Sequence, residues 1–366
     1  MVKDFNEVWH EFCRKESEIS IRYQYERGLA MNKRLLTCNG LAHLLVDAVC
    51  AAAVLSAPPE ELLRTALIYN SFAFSTQCLV GLVTDRMGRC ARITPLACLW
   101  VALAGLLPLP WAARAAIIGL GNSLFHVAAG TVTLEDSGGK AAPLGLFVAP
   151  GALGVFLGKA FPAARLILCA LLLLCAVPLY LEGRLERPAP APKPAAPGSP
   201  EKPLSLCAVL LTLAVAVRAV GGAASGSAGQ QSLWLAAVPV LLVFLGKSAG
   251  GFACDRLGSG KTALVSVPLA AALILLGGGS FAADAAGQFF LNLSMPITLY
   301  LLYRCLPDSP GFAFGLAASA LWPGALLGGL IPAAGASRVI LVVLCFGLAL
   351  FAVLLAERRV SHKKEP

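Results

Sequence analysis

The chain has 366 residues, of which 58% are hydrophobic and 13% charged, and its mean hydropathy is +0.77. Soluble domains are roughly half apolar and a quarter charged, so a soluble globular protein is excluded and an integral membrane protein expected. A net charge of +9 would suit a nucleic-acid partner, but the charges gather in loops on one side of the expected topology and imply none.

Residues 1–31 form a polar N-terminal extension, with Trp9, Phe12, Ile19, Tyr23 and Tyr25 scattered among Lys, Arg and Glu. It holds no apolar stretch of the kind a secretory signal needs. A spanning helix takes about 20 residues. Apolar runs bounded by Pro, Gly or charge fall near 35–56, 62–83, 93–107, 112–133, 143–161 and 164–182. Six helices over 32–186 are expected from them. The stretch 187–203 is rich in Pro and Ala, cannot continue a helix and reads as a linker. Runs near 204–222, 232–253, 262–280, 284–304, 311–331 and 337–356 supply six more helices over 204–356, followed by a tail, 357–366. The expected architecture is all-α, about twelve transmembrane helices in two pseudo-symmetric six-helix bundles, working as a monomer.

This topology puts Arg92, Arg184, Arg187, Lys261, Arg358 and Arg359 on one side with many other basic residues, and only Arg64, Arg114, Lys159, Arg165 and Arg338 on the other. Such a bias marks the cytoplasmic side, so both termini and the linker are expected there, in a multi-pass protein of the cell membrane. The twelve cysteines show no metal-ligand spacing, and most sit in apolar runs where Cys behaves as a small hydrophobe.

Two loops share a phrase: Gly81-Leu-Val-Thr-Asp-Arg-Met-Gly-Arg89 and Gly251-Phe-Ala-Cys-Asp-Arg-Leu-Gly-Ser259, with Asp85 and Asp255 standing 170 positions apart. Asn122 with Asn292, and Pro150-Gly-Ala-Leu with Pro323-Gly-Ala-Leu, recur near the same offset. The repeated halves and their loops resemble the major facilitator superfamily, whose signature lies between its second and third helices and, in a second copy, between its eighth and ninth. The resemblance implies alternating access, with Asp85, Arg86, Arg89, Lys247, Asp255 and Arg256 in a gate. Physically, an Asp at one helix end can bridge to the positive N-terminus of a neighbour; charge that merely sets topology is the alternative. The glycine-rich stretches Pro150 to Gly158 and Gly315 to Gly329 suit either the seam between halves or ordinary tight packing.

Polar residues inside apolar runs are the candidate site. Asn39, His43 and Asp47, four apart, share one face of the first helix and should face a central cavity; a satisfied interhelical hydrogen bond is the other reading. His43 can exchange a proton near neutral pH. Asn122 and His126 share a face of the fourth helix, and Asp284, Gln288 and Asn292 a face of the tenth. Asp284 lies near a helix end and is as readily solvated as functional. Arg218 either faces the cavity as an anion-binding group or snorkels to the interface. Gly119-Leu-Gly-Asn-Ser-Leu-Phe-His126, the His-bearing first helix, Met295-Pro-Ile-Thr and Arg218 resemble the fosmidomycin-resistance-type branch of the superfamily. That branch implies proton-coupled efflux of a drug or metabolite.

Gly258-Ser-Gly-Lys-Thr262 imitates the end of a phosphate-binding loop, but the pattern needs Gly at position 255, which is Asp, and no strand precedes it. No ATP site, cofactor or metal is expected. The partners are a small-molecule substrate, protons and the lipid bilayer. Uptake or facilitated diffusion of an organic solute is the alternative function. An intramembrane enzyme using His43 and Asp47 is a remote one, for want of a third ligand or a nucleophile beside them.

Overall fold

The computed structural model describes residues 32–185, 202–223, 232–277, 280–331 and 334–362. The expectations for the extension 1–31 and for nearly all of the linker 187–203 lie outside these residues. Twelve helices follow in order: α1 (Lys33–Leu55), α2 (Pro59–Met87), α3 (Cys90–Leu106), α4 (Trp111–Asp136), α5 (Ala142–Ala160) and α6 (Arg165–Leu185), then α7 (Lys202–Ala223), α8 (Leu233–Leu257), α9 (Ser259–Leu276), α10 (Phe281–Cys305), α11 (Pro310–Leu330) and α12 (Gly335–His362). Eleven are long and apolar enough to cross a membrane, and α3 is a shorter apolar helix. The chain is an all-α membrane protein.

Several helices outrun the apolar stretches that predicted them. Helix α12 continues through Glu357-Arg-Arg to His362, into the stretch that the sequence expectation set apart as a tail. Apolar periodicity marks only the part of a helix in lipid, and charged residues extend it beyond without breaking hydrogen bonds.

Local chemistry fixes the turns. Pro59 opens α2 with Glu60 and Glu61 in its first turn, a favourable match to an N-terminus that lacks acceptors and carries positive dipole. Gly88 (φ 58°) and Gly258 (φ 90°) end α2 and α8, positive-φ positions where a Cβ would be strained. They are the glycines of the two Asp-Arg-x-Gly loops.

The N-terminal bundle is built on a core that includes Val46, Val49, Phe125, Phe147 and Leu172. In the C-terminal bundle Leu211, Ile297, Leu301 and Val353 form one cluster, and Ile274 and Phe346 belong to another. The halves meet along two equivalent helix pairs, α2 with α11 and α5 with α8. Close approach there depends on glycine. A Cβ on Gly81 would meet the Gly311 carbonyl and one on Gly251 the Ala141 carbonyl; one on Gly315 would meet the Gln77 carbonyl and one on Gly145 the Lys247 carbonyl. Gly251 lies 170 positions after Gly81 and Gly315 170 after Gly145, the offset that separates Asp85 from Asp255.

The glycine-rich stretches divide between two tasks. Gly315 lies on the seam, whereas Gly154 and Gly158 pack on Leu44 and Ala48 of α1, and Gly324 and Gly328 on Ala216 and Val220 of α7. Most of these glycines therefore hold each bundle together, and Gly315 alone among them shapes the contact between bundles. Helix α2 is interrupted by a π turn over Ser71–Ser75. Beside it Ser319 of α11 donates from its hydroxyl to the Phe74 carbonyl and accepts from the Cys78 N–H, each at 3.0 Å.

Candidate functional site: a cavity between the two bundles

A cavity of about 660 Å³ lies between the halves. Its walls reach Val54 and Leu55 at the end of α1, Ala66 early in α2 and Lys159 at the end of α5. These positions lie toward one face, opposite the one that carries the described ends, Asn32 and His362. Toward that terminal face the glycine seams close it, together with a Phe147–Phe314 contact across the halves at 6.1 Å between ring centroids.

The N-terminal wall carries a compact polar cluster. His43 and Asp47 stand one turn apart on α1, and α4 brings His126 and Asn122 against them. His43 Nδ1 lies 2.7 Å from the Phe147 carbonyl and His126 Nδ1 2.9 Å from the Asn122 carbonyl. A carbonyl only accepts, so each Nδ1 carries a hydrogen and, in a neutral ring, each Nε2 is left bare. The two Nε2 atoms face each other at 2.9 Å. Asp47 completes the group, with Oδ2 3.3 Å from His43 Nε2 and Oδ1 3.6 Å from His126 Nε2. Asn122 Nδ2 donates to Asp47 Oδ1 at 3.1 Å. The donor atoms of His43, Asp47 and His126 all lie within 4.8 Å of one another, so His126 stands beside His43 and Asp47 where the sequence offered no third ligand.

Gly151 of α5 makes room for the cluster, because a Cβ there would meet His43 Nε2 and Asp47 Oδ2. Asn39 departs from the expectation for its stripe. It is buried below the cavity in a separate crevice with Leu35, Val132 and Pro143, and its Oδ1 has no hydrogen-bond partner among the described residues.

The C-terminal wall is different in kind. Arg218 is only 7% exposed, lines the cavity and donates from Nη1 to Ser294 Oγ at 2.8 Å; it does not snorkel. Asn292 lines the cavity and donates from Nδ2 to the Gln288 carbonyl. Lys247, expected in the gate, instead lines the cavity and donates to the Val148 carbonyl of α5 at 3.3 Å. It lies eight residues before Asp255, which on a helix is about 12 Å deeper into the protein. Asp284 is not solvated: it is buried, and neither carboxylate oxygen has a partner among the described residues. Gln288 does not line the cavity.

At the terminal face the two signature carboxylates do the same thing. Asp85 accepts from the N–H groups of Gly311 and Phe312 at 2.7 and 2.8 Å, the first turn of α11. Asp255 accepts from the N–H groups of Ala141 and Ala142 at 2.6 and 3.0 Å, the first turn of α5. Each half thus caps a helix of the other, using orphan N–H groups and the positive end of the helix dipole. Arg86, Arg89 and Arg256 are exposed and form no ion pair among the described residues. The decoy phosphate loop has a structural explanation, since the Gly260 N–H that would cradle a phosphate donates to Glu357 Oε1 at 2.8 Å.

Sequence reasoning passed over Asn70 and Gln77 of α2, which line the cavity with Tyr69. They stand seven residues apart on one face of an apolar helix, a visible signal.

No family model matches the chain, and no curated protein sequence does either. Solved structures do. A crystal structure of FucP, a major facilitator superfamily transporter in the outward conformation, aligns with a TM-score of 0.60 at 14% identity, covering 86% of this chain and 98% of that one. The E. coli fucose:proton symporter FucP aligns at 0.61 and 15%, over 88% and 98%. A bacterial homologue of the iron transporter ferroportin in an outward-facing state aligns at 0.55 and 15%, over 91% and 100%. At such identities the likeness establishes the fold, which is that of the major facilitator superfamily.

Proposed function

We propose that this chain is a secondary transporter that moves a small organic molecule through the cavity by alternating access, driven by protons, in the direction of efflux. The observation that carries the proton reading is the pair of bare Nε2 atoms 2.9 Å apart beside a carboxylate. Two lone pairs at hydrogen-bond distance repel unless a cation lies between them. A proton there makes an N–H···N bond and a +1 imidazole pair, which Asp47 balances. When the proton leaves, the pair must separate and Asp47 loses its counter-charge, so proton occupancy is tied to the relative placement of α1 and α4. The spacing favours a proton over a metal ion, because two imidazole ligands on a tetrahedral ion with bonds of about 2.0–2.1 Å would stand about 3.3 Å apart.

The fold supports the rest of the reading. Six-helix halves around a central cavity, joined at one face by paired caps, suit rocking about a midplane site. Asp85 and Asp255 are the gate: they hold the terminal face shut while the cavity is open opposite. The distribution of Arg and Lys supports a cytoplasmic terminal face and hence an outward-open state in the cell membrane. Efflux rests on the resemblance of the Gly119–His126 stretch to the fosmidomycin-resistance-type branch. Uptake is the second reading, favoured by the likeness to a fucose:proton symporter.

The test is substrate movement in proteoliposomes with and without an imposed pH gradient. The proposal expects wild-type protein to accumulate substrate against its own gradient, with the sign of the proton gradient reporting direction. Asp47→Asn should abolish that accumulation and leave substrate exchange at zero gradient. Equal loss of both would make Asp47 structural or substrate-binding, and full gradient-driven transport by the Asp47→Asn, His43→Gln double variant would refute coupling at this cluster.

A further inference from the structure

The charges lining the cavity do not balance. Asp47 is the one carboxylate in its lining among the described residues, and it is already engaged by Asn122, His43 and His126. Facing it are Arg218 and Lys247, with Lys159 at the mouth. Neither Arg218 nor Lys247 has a carboxylate within ion-pair distance among the described residues. Asp284, the other buried acid of α10, does not supply it, because its oxygens have no partner there. Lys247 has one hydrogen bond to a neutral carbonyl, and Arg218 spends one N–H of its five on Ser294.

A buried cation without a counter-charge is costly in a low-dielectric interior, and in a membrane protein such residues face a cavity or a partner. Arg218 is more than nine-tenths buried, yet it lines the cavity and has donors beyond the one given to Ser294. A guanidinium fork presents parallel N–H groups that fit an oxyanion bidentately. The lining also offers apolar surface on α10 and α11, at Met295, Leu299, Phe314 and Leu321, beside the polar Asn292 and Thr298. A cationic substrate would meet the unbalanced Arg218 and Lys247, whereas a neutral polyol could bond to Asn70, Gln77 and Asn292 but would leave both cations without a counter-charge.

We propose that the transported molecule is an organic anion, with a carboxylate, sulfonate or phosphate group held by Arg218 and Lys247 and an apolar body against α10 and α11. The inference rests on the cavity being the transport site. The counter-charge that the C-terminal wall lacks then arrives with the substrate, and the cavity is electrically complete only when loaded.

Equilibrium binding tests this without any gradient. Purified full-length protein is followed by thermal shift at one pH with 4-phenylbutyrate, its sulfonate counterpart, phenyl phosphate, the uncharged 4-phenylbutyramide, the cationic 4-phenylbutylamine and inorganic phosphate. At least one aryl anion should stabilise the protein saturably, at concentrations about tenfold or more below those needed for the amide, since each lost hydrogen bond to a charged group is worth about a factor of ten or more. The amine should give no shift. Arg218→Gln should raise the half-maximal concentration of that anion about tenfold, with Arg218→Lys between. Should Arg218→Gln fail to fold, the wild-type panel and Lys247→Gln still decide. Equal shifts from the amide or amine, no shift from any aryl anion, or inorganic phosphate acting as well as the aryl anions would overturn the proposal. The two readings fail separately: a proton-driven carrier of neutral cargo fails here yet accumulates cargo in proteoliposomes, and an anion-binding protein that does not transport does the reverse.

Discussion

The two halves agree at the terminal face and disagree in the cavity. At the face, Asp85 with Gly311 and Phe312, and Asp255 with Ala141 and Ala142, are one arrangement built twice at a constant offset. Inside, Leu44 and Ala48 of α1 pack as Ala216 and Val220 do on α7, which makes Val215 and Ala219 the counterparts of His43 and Asp47. Pro296 stands where the repeat would place the partner of His126, and Gln77 where it would place that of Lys247. The duplicated scaffold thus carries an imidazole and carboxylate cluster on one wall and cations without a paired carboxylate on the other. Motion asks the same of both halves, whereas chemistry does not.

The sharpest way to break this comparison is at the gate. Asp85→Asn removes the charge and one of two acceptor oxygens, at a cost to the closed face of about 2 kcal/mol, or roughly thirtyfold in the balance between states. Turnover in proteoliposomes should fall more than tenfold while ligand affinity, measured by thermal shift, stays within about twofold. Asp255→Asn should behave alike. A harmless Asp255→Asn would show that the symmetry of the caps is geometric and not functional.

A smaller effect sharpens the contrast between the walls. Gly151→Ala places a carbon against His43 and Asp47, and should cut proton-driven accumulation roughly tenfold by forcing side chains off their rotamers at about 1–3 kcal/mol. Leu321, 170 positions on, lines the opposite wall with no such cluster against it, and Leu321→Ala should leave proton coupling intact. Both variants are read as the ratio of gradient-driven accumulation to exchange, which a general loss of folded protein does not move.

The least effect is expected at Glu357, whose only assigned task is to cap Gly260 at the start of α9. Glu357→Gln should lower thermal stability by about 1 kcal/mol and leave transport unchanged. A large transport defect would mean that α12 takes part in the rocking.

The sequence was most legible where the physics is local. Apolar runs located the twelve helices, Gly88 and Gly258 located the turns, and four-residue spacing put His43 with Asp47 and Asn122 with His126. It was least legible where depth and neighbours decide. Lys247 was assigned to the gate by resemblance, although two helical turns before Asp255 carry it into the cavity. Asn39 shares the stripe of His43 and Asp47, yet the same face that borders the cavity at Asp47 is covered near the terminal face, where α1 packs against α4 and α5. Asp284, near a helix end, read as readily solvated as functional, and its burial shows only in the packed structure, where α9 lies against α10. That His126 meets His43 follows from the docking of α4 on α1, which no single-helix pattern contains.

The glycine seams bear on how such a molecule can diverge. Every substitution of glycine adds at least one carbon, and at Gly81, Gly145, Gly251 and Gly315 that carbon would meet backbone of the other half. A side chain can rotate aside, but a carbonyl held in a helix cannot. Mutational drift is thereby nearly blocked at these positions, while the cavity walls, made of side chains around about 660 Å³ of open space, can exchange residues one at a time without disturbing the fit of the halves.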